Sequence, residues 1–466
     1  MSTPVVPFAT FDDAFQWLAS RTNYETMATQ SYDERTYGLD RVHRLLDAVK
    51  RPDRQLDVVQ IVGSKGKGST ATMLSSILRA AGRRTGLYSS PHLIDARERI
   101  RVQGEWADDA LVAQALSDVR PHVEAAAAAG EPTTFFEIHT VAALLTFASA
   151  QCDVAVLEAG MGGRLDATSA AEAKCVALTS LSLDHTAQLG TTVEAVAREK
   201  AEAARPGQLL VCGHRPGTTD GPSSALPIVE EICRERASPL LVLGRDFQVE
   251  DVLTAYSRDT GAVCTSFILR HAGHRIHLAT PLLGVHQARN AAVAAVTALE
   301  TKWSDGEVTE SDVRQGLRSI RLQARLEPIA TRPLVLVDGA HSPASCAALA
   351  RTVKAAIPGH PHVFVVGMAR DKDIAGSMIA LQGVADHVVG TTSGSPRAAA
   401  PETIAAAADA AGIAASSEPT SAAALAAARE HAGPDGAVIV TGSLYLCGDV
   451  LRGDVLAQRV CDDDLS

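Results

Sequence analysis

A glycine-rich segment that carries two lysines and three hydroxyl side chains is the clearest chemical signal in the chain. It runs from Gly63 to Thr70 as Gly-Ser-Lys-Gly-Lys-Gly-Ser-Thr, after an apolar β-branched run and before residues with helical apolar spacing. A glycine loop between a strand and a helix points backbone N–H groups at one place beside the positive helix end, which suits a phosphate. Lys67 adds a mobile positive charge, and the Ser69 hydroxyl could reach a phosphate-bound Mg²⁺. The segment therefore predicts a nucleotide phosphate site; the alternative is a turn that only lets the strand and the helix pack closely.

Polar side chains also follow other apolar runs, at the points where predicted strands end. Ser90 comes shortly after the predicted strand 85–88, although Ser-Ser-Pro could equally be an ordinary turn. Glu158 ends the apolar run 154–158 and precedes a second glycine-rich segment. A glutamate in that position is costly to bury unless it meets a cation or hydrogen-bond donors, which favours a Mg²⁺ ligand or a catalytic group. Because ligands bind at the carboxyl ends of strands in open α/β sheets, these side chains are candidates for one site.

Three further polar residues have two interpretations each from the residues alone. His185 follows the predicted strand 176–181 and stands beside Asp184, which could fix its tautomer, but a structural histidine is equally open. Lys200 lies on a predicted helix and by itself indicates a solvated charge. Asn290 stands near the start of an apolar helix, where a helix cap is the default interpretation.

Length and composition limit the classes of protein that the chain can belong to. Its 466 residues, 46% hydrophobic, predict two domains rather than one core. A net charge of −11 argues against a broad nucleic-acid-binding surface. The eight cysteines form no C-x-x-C pair, which indicates reduced thiols. The sequence contains neither a signal-peptide pattern nor an apolar run of about 20 residues, so we expect a cytoplasmic protein without membrane contact.

The elements that must position these residues alternate between strand and helix patterns, which predicts parallel sheets. Residues 205–282 predict short strands with one helix, 227–237, and no evident chemistry. Residues 321–328 read as a charged connector. The strands expected beyond it are 334–337, 362–366, 387–390 and 437–440, and the helices are 343–356, 373–384, 401–411 and 421–431. The fold class is therefore α/β, with a first part over 1–322 that contains the glycine loop and a Rossmann-like part over 330–466; the family resemblance given next implies that the first is a P-loop-type ATPase domain.

The ordered set of motifs resembles the ATP-dependent Mur-type amide ligases, in particular the bacterial dihydrofolate synthase/folylpolyglutamate synthase branch. That branch typically has Gly-Thr-Asn-Gly-Lys-Gly-Ser where this chain has Gly63 to Ser69, so Gly68, which breaks the usual pattern GxxxxGK[ST], is the ligase variant of the loop. The other matching segments occur in the family's order over nearly the whole chain, at 86–93, 157–168, 183–186, 198–201, 338–341 and 441–443.

The resemblance implies a role for each matching residue, with the active site between the two domains. ATP contacts would come from Gly63, Ser64, Lys65, Gly66, Lys67, Gly68, Ser69, Asn290, Arg325 and Asp338. Magnesium would be held by Ser69, Ser90, Glu158, His185 and Lys200, the last carboxylated by CO₂. Lys67, His185 and Lys200 would be the catalytic groups. The pterin substrate would lie near Arg35, Thr36, Tyr37, Thr134, Phe135, Phe136, Glu137, Leu165, Asp166, Ala167 and Tyr445.

Three positions depart from the family's pattern. Lys65 replaces an asparagine and adds positive charge beside the phosphates. Glu202 replaces the glycine of Lys-Ala-Gly and puts another carboxylate near Lys200. Ser342 replaces the asparagine of Ala-His-Asn-Pro, which leaves the role of Asp338 unaffected.

The function that the resemblance implies is ATP-dependent ligation of L-glutamate to dihydropteroate, to the γ-carboxylate of reduced folates, or to both. The reaction would pass through an acyl phosphate and release ADP and phosphate, with ATP and Mg²⁺ as cofactors. We expect a cytoplasmic monomer whose partners are these small molecules, and neither nucleic acid nor membrane. One rival, a UDP-muramyl peptide ligase, would need a uridine-nucleotide domain before the loop, where only 62 residues precede Gly63. A second rival, a P-loop kinase or nucleotide-binding regulator, leaves Glu158, His185 and Lys200 without a joint role.

Overall fold

The computed structural model describes residues 7–24, 37–183, 186–215, 223–257, 260–357, 359 and 361–463, with side chains to residue 453. The described strands form an eight-stranded sheet, a three-stranded sheet and a six-stranded sheet. Among the residues within these ranges, no helix is both long and apolar enough to span a bilayer.

The first large sheet contains β1 to β8 and is mostly parallel. Its strands are β1 (Asp57–Val62), β2 (Thr85–Tyr88), β3 (Ile100–Val102), β4 (Glu105–Trp106), β5 (Val154–Glu158), β6 (Ala173–Leu178), β7 (Leu209–Cys212) and β8 (Leu240–Val242). They lie in the order β4-β3-β2-β5-β1-β6-β7-β8, and only the β2–β3 and β3–β4 pairs are antiparallel. The order puts β5 directly beside β1, so the predicted glutamate strand ends next to the glycine loop.

Helices cover both faces of this sheet, which explains why the central strand β1 is buried along its whole length. The helices are α1 (Phe11–Ala19), α2 (Asp40–Ala48), α3 (Lys67–Ala80), α4 (Asp109–Ala128), α5 (Phe135–Ser149), α6 (Thr186–Leu189), α7 (Val193–Ala201) and α8 (Ala225–Glu235), followed later by α9 (Val285–Glu300) and α10 (Glu310–Arg318). Val59 and Ile61 pack in one core with residues of α3 and α9. Val58 packs in another with residues of α4 and α5.

The three-stranded sheet is an antiparallel meander. It consists of β9 (Phe247–Tyr256), β10 (Val263–His271) and β11 (His274–Thr280) in the order β11-β10-β9. Phe247, Phe267 and Leu278 bury one side of it in the core that also contains α9.

The six-stranded sheet belongs to the second half of the chain and is parallel except at one edge. Its strands are β12 (Arg325–Thr331), β13 (Leu334–Asp338), β14 (His362–Val366), β15 (His387–Gly390), β16 (Ala414–Ser417) and β17 (Ala437–Thr441), in the order β12-β13-β17-β14-β15-β16. Only β12 runs antiparallel to its neighbour. The helices are α11 (Pro343–Ala356), α12 (Ile374–Leu381), α13 (Pro401–Ala410), α14 (Ser421–Ala432) and α15 (Leu444–Asp463).

The strand and helix predictions agree with the structure where the apolar pattern is strong. The expected strands 362–366 and 387–390 and the expected helix 343–356 have the predicted bounds. The connector prediction is wrong, because residues 325–328 form part of β12 and pair with β13. The division into domains 1–322 and 330–466 stays a prediction.

Candidate active site

The glycine-rich segment links β1 to α3, and two of its glycines are required by the backbone. Gly63 has φ 146°, and a Cβ there would clash with the Thr179 hydroxyl. Gly66 has φ 86°, caps the N-terminus of α3, and leaves no space for a Cβ, which would lie 2.5 Å from Oδ1 of Asn290. Both glycines therefore adopt conformations that side-chain-bearing residues rarely adopt.

The residues after β6 hold the loop in place. The Ser64 amide donates to the carbonyl of Ser180 at 2.9 Å, and the Lys65 amide donates to Oγ of Ser180 at 3.0 Å. The Thr179 hydroxyl donates to the Lys65 carbonyl at 2.6 Å, and Oγ of Ser64 donates to the carbonyl of Ser182 at 2.8 Å. The amides of Ser64 and Lys65, the Ser64 hydroxyl and the Lys65 carbonyl are therefore already hydrogen-bonded within the protein. A preorganised loop keeps the remaining backbone donors directed at one place.

Two lysines donate to the same carbonyl of the loop. Nζ of Lys67, from the first turn of α3, lies 3.1 Å from the Gly63 oxygen. Nζ of Lys200, from α7, lies 3.1 Å from the same oxygen, and the Lys200 side chain is almost completely buried. The expected solvated charge at Lys200 is therefore wrong. The structure instead brings the predicted catalytic lysines together at the start of the loop.

Glu158 ends β5 beside this loop because β5 pairs with β1 and sets Glu158 opposite Ile61. Its side chain is 5% exposed, and its carboxylate accepts a hydrogen bond from the Ser90 amide at 3.2 Å. Burial raises the pKa of this carboxyl above its ordinary value, and the positive charge of Lys67 opposes that rise. A Cβ at Gly68 would lie 3.4 and 3.5 Å from the two carboxylate oxygens. The glycine that breaks the usual loop pattern therefore leaves open the space between the loop and Glu158.

The donor set at this place suits Mg²⁺, which prefers oxygen ligands and commonly uses one or two carboxylates together with phosphate oxygens. Glu158 supplies a buried carboxylate, and Ser69 and Ser90 supply hydroxyl oxygens. No group of three or more His, Cys, Asp or Glu side chains placed to hold a metal occurs among the residues that the structure describes. A metal here would therefore depend on nucleotide phosphates for several of its ligands. His185 lies outside the described residues.

The second half of the chain brings Arg325 and Asp338 to the same region. Arg325 pairs with Asp338 between β12 and β13. Its positive charge opposes the rise in pKa that burial causes at both Asp338 and Glu158. Asp338 ends β13, and its two oxygens accept from the amides of Leu326 at 3.0 Å and Ala340 at 2.9 Å. Residues from both halves of the chain therefore contribute charge to the candidate site, and its location between the two domains, which the resemblance implies, stays a prediction.

Asn290 lies inside α9, not at its cap, because Gly284 is the N-cap residue. The default interpretation of Asn290 as a helix cap is therefore wrong. Its Nδ2 donates to Oε1 of Gln287 at 3.1 Å, and its Oδ1 faces Gly66. The structure thus places Asn290 against the loop.

Part of the predicted pterin-binding set forms an aromatic wall beside the glycine segment after β5. The Phe136 ring covers Gly160, where a Cβ would lie 2.8 Å from it, and its centroid lies 5.7 Å from that of Tyr88. Phe135 is buried and contacts His139, whose pKa burial lowers well below its ordinary value. Tyr88 and Phe135 are buried, so the partly exposed ring of Phe136 is the one on which a flat ring system could stack.

The polar members of that set are engaged in holding the fold. Thr134 and Glu137 form a capping box at the start of α5, and the Glu137 carboxylate also pairs with Arg41 at 2.7 Å. Asp166 is buried and accepts from the amides of Met161 and Thr168, each at 3.0 Å. Both carboxylates therefore shape the pocket, whatever contact they make with a substrate.

The remaining members of the set are dispersed. Leu165 and Ala167 are buried beside Asp166. Burial raises the pKa of Tyr37 to about 12, and its ring lies 5.2 Å from that of Tyr24. Tyr445 is half exposed at the start of α15. Arg35 and Thr36 lie outside the described residues.

Two of the three departures have a structural explanation. Glu202 pairs with Arg164, Oε2 to Nε at 3.2 Å, and shares this cation with Glu199, whose Oε2 lies 3.1 Å from the same Nε. Ser342 is the N-cap of α11, where its hydroxyl accepts from the Ser345 amide; serine caps a helix about as well as the asparagine that it replaces. Nothing in the structure explains why the loop carries Lys65.

Sequence reasoning missed several residues that build the site because their partners are distant in the chain. Arg41 and Glu137 are 96 positions apart, and Thr179 and Lys65 are 114 apart. An arginine in a helix and a threonine after a strand carry no local signal of these partners. The glycines of the loop, two of which have positive φ, were the feature from which the sequence alone could predict the site.

Comparison with protein families agrees with this arrangement in both halves of the chain. Residues 61–298 match the Mur ligase middle domain, and residues 324–444 match the Mur ligase glutamate ligase domain. The two matched domains, in this order, define the class as Mur ligases.

Known proteins narrow the class further. A dihydrofolate synthase/folylpolyglutamate synthase of Mycobacterium tuberculosis is 33% identical over 84% of this chain and 82% of that protein. A Mycobacterium tuberculosis folylpolyglutamate synthase complexed with ADP has a TM-score of 0.83 and 28% identity over 95% of this chain and 98% of that one. A probable bifunctional folylpolyglutamate synthase/dihydropteroate synthase of Haloferax volcanii is 37% identical over 88% of this chain, which spans about half (48%) of that relative's length. The chain therefore belongs to the dihydrofolate synthase/folylpolyglutamate synthase family of Mur ligases.

Proposed function

We propose that this chain ligates L-glutamate to dihydropteroate, to the γ-carboxylate of reduced folates, or to both, at the expense of ATP. The observation that carries the proposal is the buried carboxylate of Glu158, which faces the glycine loop across the space left open by Gly68. A kinase or regulator would also need the loop, but it would have no use for Arg325 approaching that carboxylate from the second sheet. The names of the relatives support the same chemistry.

The first half of the reaction activates a carboxylate. Backbone amides of the loop other than those of Ser64 and Lys65, together with Nζ of Lys67, hold the ATP phosphates, and Arg325 and Asn290 add further contacts. An oxygen of the substrate carboxylate attacks the γ-phosphorus and displaces ADP, giving an acyl phosphate. The positive charges around the loop stabilise the negative charge that spreads over the transferred group.

Magnesium fits the oxygen donors of Ser69, Ser90 and Glu158, with His185 and a carboxylated Lys200 as further proposed ligands. When bound, it neutralises phosphate charge and acts as a Lewis acid. The buried position of Lys200 supports its modification, since a carbamate there would turn a buried cation into an anion beside the loop. Burial and the Ser90 amide keep Glu158 fixed in the orientation that a ligand requires.

The second half of the reaction forms the amide. The amine of L-glutamate attacks the carbonyl carbon of the acyl phosphate, phosphate leaves with the electron pair of the C–O bond, and the amine releases a proton. The partly exposed ring of Phe136, which packs against the buried ring of Tyr88, stacks on the pterin ring and helps to exclude water from the acyl phosphate. Water exclusion matters because hydrolysis of the acyl phosphate would waste ATP.

The partners in this proposal are small molecules: ATP, L-glutamate, and dihydropteroate or a reduced folate. A net charge of −11 supports the absence of a nucleic-acid partner. Action as a cytoplasmic monomer without membrane contact belongs to the same proposal.

The test is a coupled ADP-release assay with dihydropteroate and then tetrahydrofolate, each with and without L-glutamate. We expect glutamate-dependent ADP release with at least one of them, and a loss of at least about 100-fold in kcat/KM for Lys67→Ala, because a cation beside the transferred phosphoryl group is removed. Lys354→Ala, an exposed lysine on α11, is the matched control and should leave turnover unchanged.

Two outcomes would contradict the proposal. Unchanged turnover of Lys67→Ala would remove the loop from the chemistry. ATP binding without glutamate-dependent ADP release would favour the kinase or regulator, and ADP release only with a UDP-muramyl peptide would favour the other Mur ligase branch.

A further inference from the structure

The strand that carries Arg325 has an irregular backbone at that residue. Within β12, Arg325 pairs with Asp338 and Glu327 pairs with the next residue of β13, Val337, so Leu326 is an extra residue in a β-bulge. Ala324 and Leu326, on the two sides of Arg325, have φ values of 52° and 49°. Residues other than glycine rarely adopt this left-handed conformation, and it persists only where the surroundings impose it.

Two carboxylates impose the bulge. Oε2 of Glu327 accepts from the Ala324 amide at 2.9 Å, and Oδ2 of Asp338 accepts from the Leu326 amide at 3.0 Å. The backbone donors on both sides of Arg325 are thus bound by side chains instead of by strand carbonyls. Because Ala324 and Leu326 are also fully buried, neither peptide can turn towards water instead.

The bulge determines where the Arg325 guanidinium lies. Nη1 donates to the Ala324 carbonyl at 2.7 Å, and that same carbonyl accepts from the Gly339 amide at 3.0 Å. Gly339 leaves the necessary space, since a Cβ there would lie 2.9 Å from Nη1. The result is a fixed cation whose charge, like that of Lys67, opposes the burial-induced rise in the pKa of Glu158 at the end of β5. Bulges commonly change the direction of a side chain next to an active site.

We propose that Glu327 is a positioning residue of the ligase: its carboxylate holds the Ala324 amide, fixes the bulge, and thereby directs Arg325 at the ATP phosphates. The inference rests on the proposed function, because ATP is taken as the ligand of Arg325. Glu327 itself contacts no reacting group; it restricts the freedom of a long side chain before ATP binds. Holding the Arg325 side chain in place before ATP binds strengthens ATP binding, because the side chain loses less conformational entropy on binding.

The experiment compares Glu327→Ala and Glu327→Gln in the full chain, with and without Arg325→Ala. Glu327→Ala leaves the Ala324 amide without its acceptor, and we expect KM for ATP to rise about tenfold while KM for L-glutamate stays the same. Glu327→Gln keeps an acceptor oxygen and should stay within about threefold of the unmodified chain. With Arg325→Ala present, Glu327→Ala should change KM for ATP by less than about twofold, because residues that act through one another are not additive. Glu307→Ala, an exposed loop glutamate, is the control.

Direct ADP binding, measured by displacement of a fluorescent nucleotide, separates this inference from the proposed function. If the unmodified chain binds ADP but releases none from ATP with glutamate, the proposed function fails, and the Glu327 comparison is still made on ADP affinity. Gly339→Ala leaves Glu327 intact and puts a Cβ 2.9 Å from Nη1 of Arg325 and 2.6 Å from Cδ2 of Leu444. It should reproduce the loss of nucleotide affinity even if a Glu327 variant folds poorly, and Leu444→Ala, which removes only the second neighbour, is its control. An equal effect of Glu327→Ala with and without Arg325, or an equal rise of both KM values, would overturn the inference.

Discussion

Replacement of Gly68 by alanine separates the chemistry of the site from the stability of the fold. Gly68 lies in the first turn of α3, and its φ is not in the left-handed region, so alanine can adopt its conformation. The new methyl would lie 3.4 and 3.5 Å from the two oxygens of Glu158, which is ordinary van der Waals contact. The substitution therefore fits the folded chain, but it fills the space through which Glu158 faces the loop.

The expected magnitudes have opposite signs for stability and activity. Alanine is favoured over glycine in a helix by at most about 1 kcal/mol, so the unfolding temperature should stay the same or rise by no more than about 2 °C. A Mg²⁺ ion must approach an oxygen to about 2.0–2.1 Å, and a methyl in contact with both oxygens blocks that approach from the loop side. Loss of one such electrostatic contact typically lowers kcat by about 100-fold or more.

The assay is ADP release as a function of Mg²⁺ concentration, with thermal unfolding measured on the same protein. Gly68→Ala should need more Mg²⁺ for half-maximal activity and should reach a lower maximum, whereas ADP binding should be retained because the backbone amides are unchanged. Gly453→Ala is the matched control: this glycine is on α15 with open space around the position of a Cβ, and activity should not change.

Unaltered turnover and Mg²⁺ dependence in Gly68→Ala would refute the reasoning. That result would mean that the space between Gly68 and Glu158 is not used by the metal or the phosphates. A large fall in the unfolding temperature would refute the claim that the alanine methyl fits the folded chain, since its contacts at 3.4 Å would then be strained.

Two further predictions concern buried charges. Asp57 pairs with Nζ of Lys174 at 2.6 Å and accepts from the amide and hydroxyl of Ser304, both at 2.7 Å, and these partners lower its pKa against the effect of burial. The folded-state pKa of Asp57 lies below the unfolded value of 3.8, so the stability that its ionised form contributes is present above pH 3.8 and is lost as the pH falls. Asp57→Asn should therefore lower the free energy of unfolding in urea by about 2 kcal/mol at pH 7 and by much less at pH 3. An equal loss at both pH values would contradict this prediction. Lys200→Met keeps the buried volume but loses the donor to the Gly63 carbonyl, so ligase activity should fall about 100-fold with little change in thermal unfolding. If Lys200 carries CO₂, the unmodified chain should also lose activity in CO₂-free buffer and regain it with bicarbonate, whereas indifference to CO₂ would exclude the carbamate.

The sequence was sufficient where a local pattern has a single structural solution. The apolar run before Gly63, the glycines, and the helical spacing after them predicted β1, the loop and α3, and the first two glycines of that loop indeed have positive φ. Glu158 was placed correctly at a strand end because a charged residue interrupts an otherwise apolar run there. In each of these places the cause of the structure lies within a few residues of its effect.

Other features were missed because their causes are distant in the chain. β12 appeared to be a charged connector, since Arg325 and Glu327 interrupt its apolar pattern; it becomes a strand only because β13 provides hydrogen-bond partners. β4 has only two residues, and β16 consists of alanine and serine, which give no apolar or β-branched strand pattern. The assignment of Asn290 to a helix cap was wrong because the sequence does not show that Gly284 is the N-cap and that α9 begins at Val285.

By itself the sequence determined that the chain has a phosphate loop, a carboxylate at a strand end, and the ordered motifs of one ligase family, because residue types and short spacings encode these. Only the tertiary structure decided that β5 lies beside β1, that Lys200 is buried and donates to the loop, and that Arg325 is held by a bulge near Glu158. Strand order, burial and the direction of a side chain depend on partners that are more than 100 residues away in several cases, as between Lys200 and Gly63, which are 137 positions apart. Such contacts between distant residues form only in the folded chain, so they cannot be predicted from local sequence patterns.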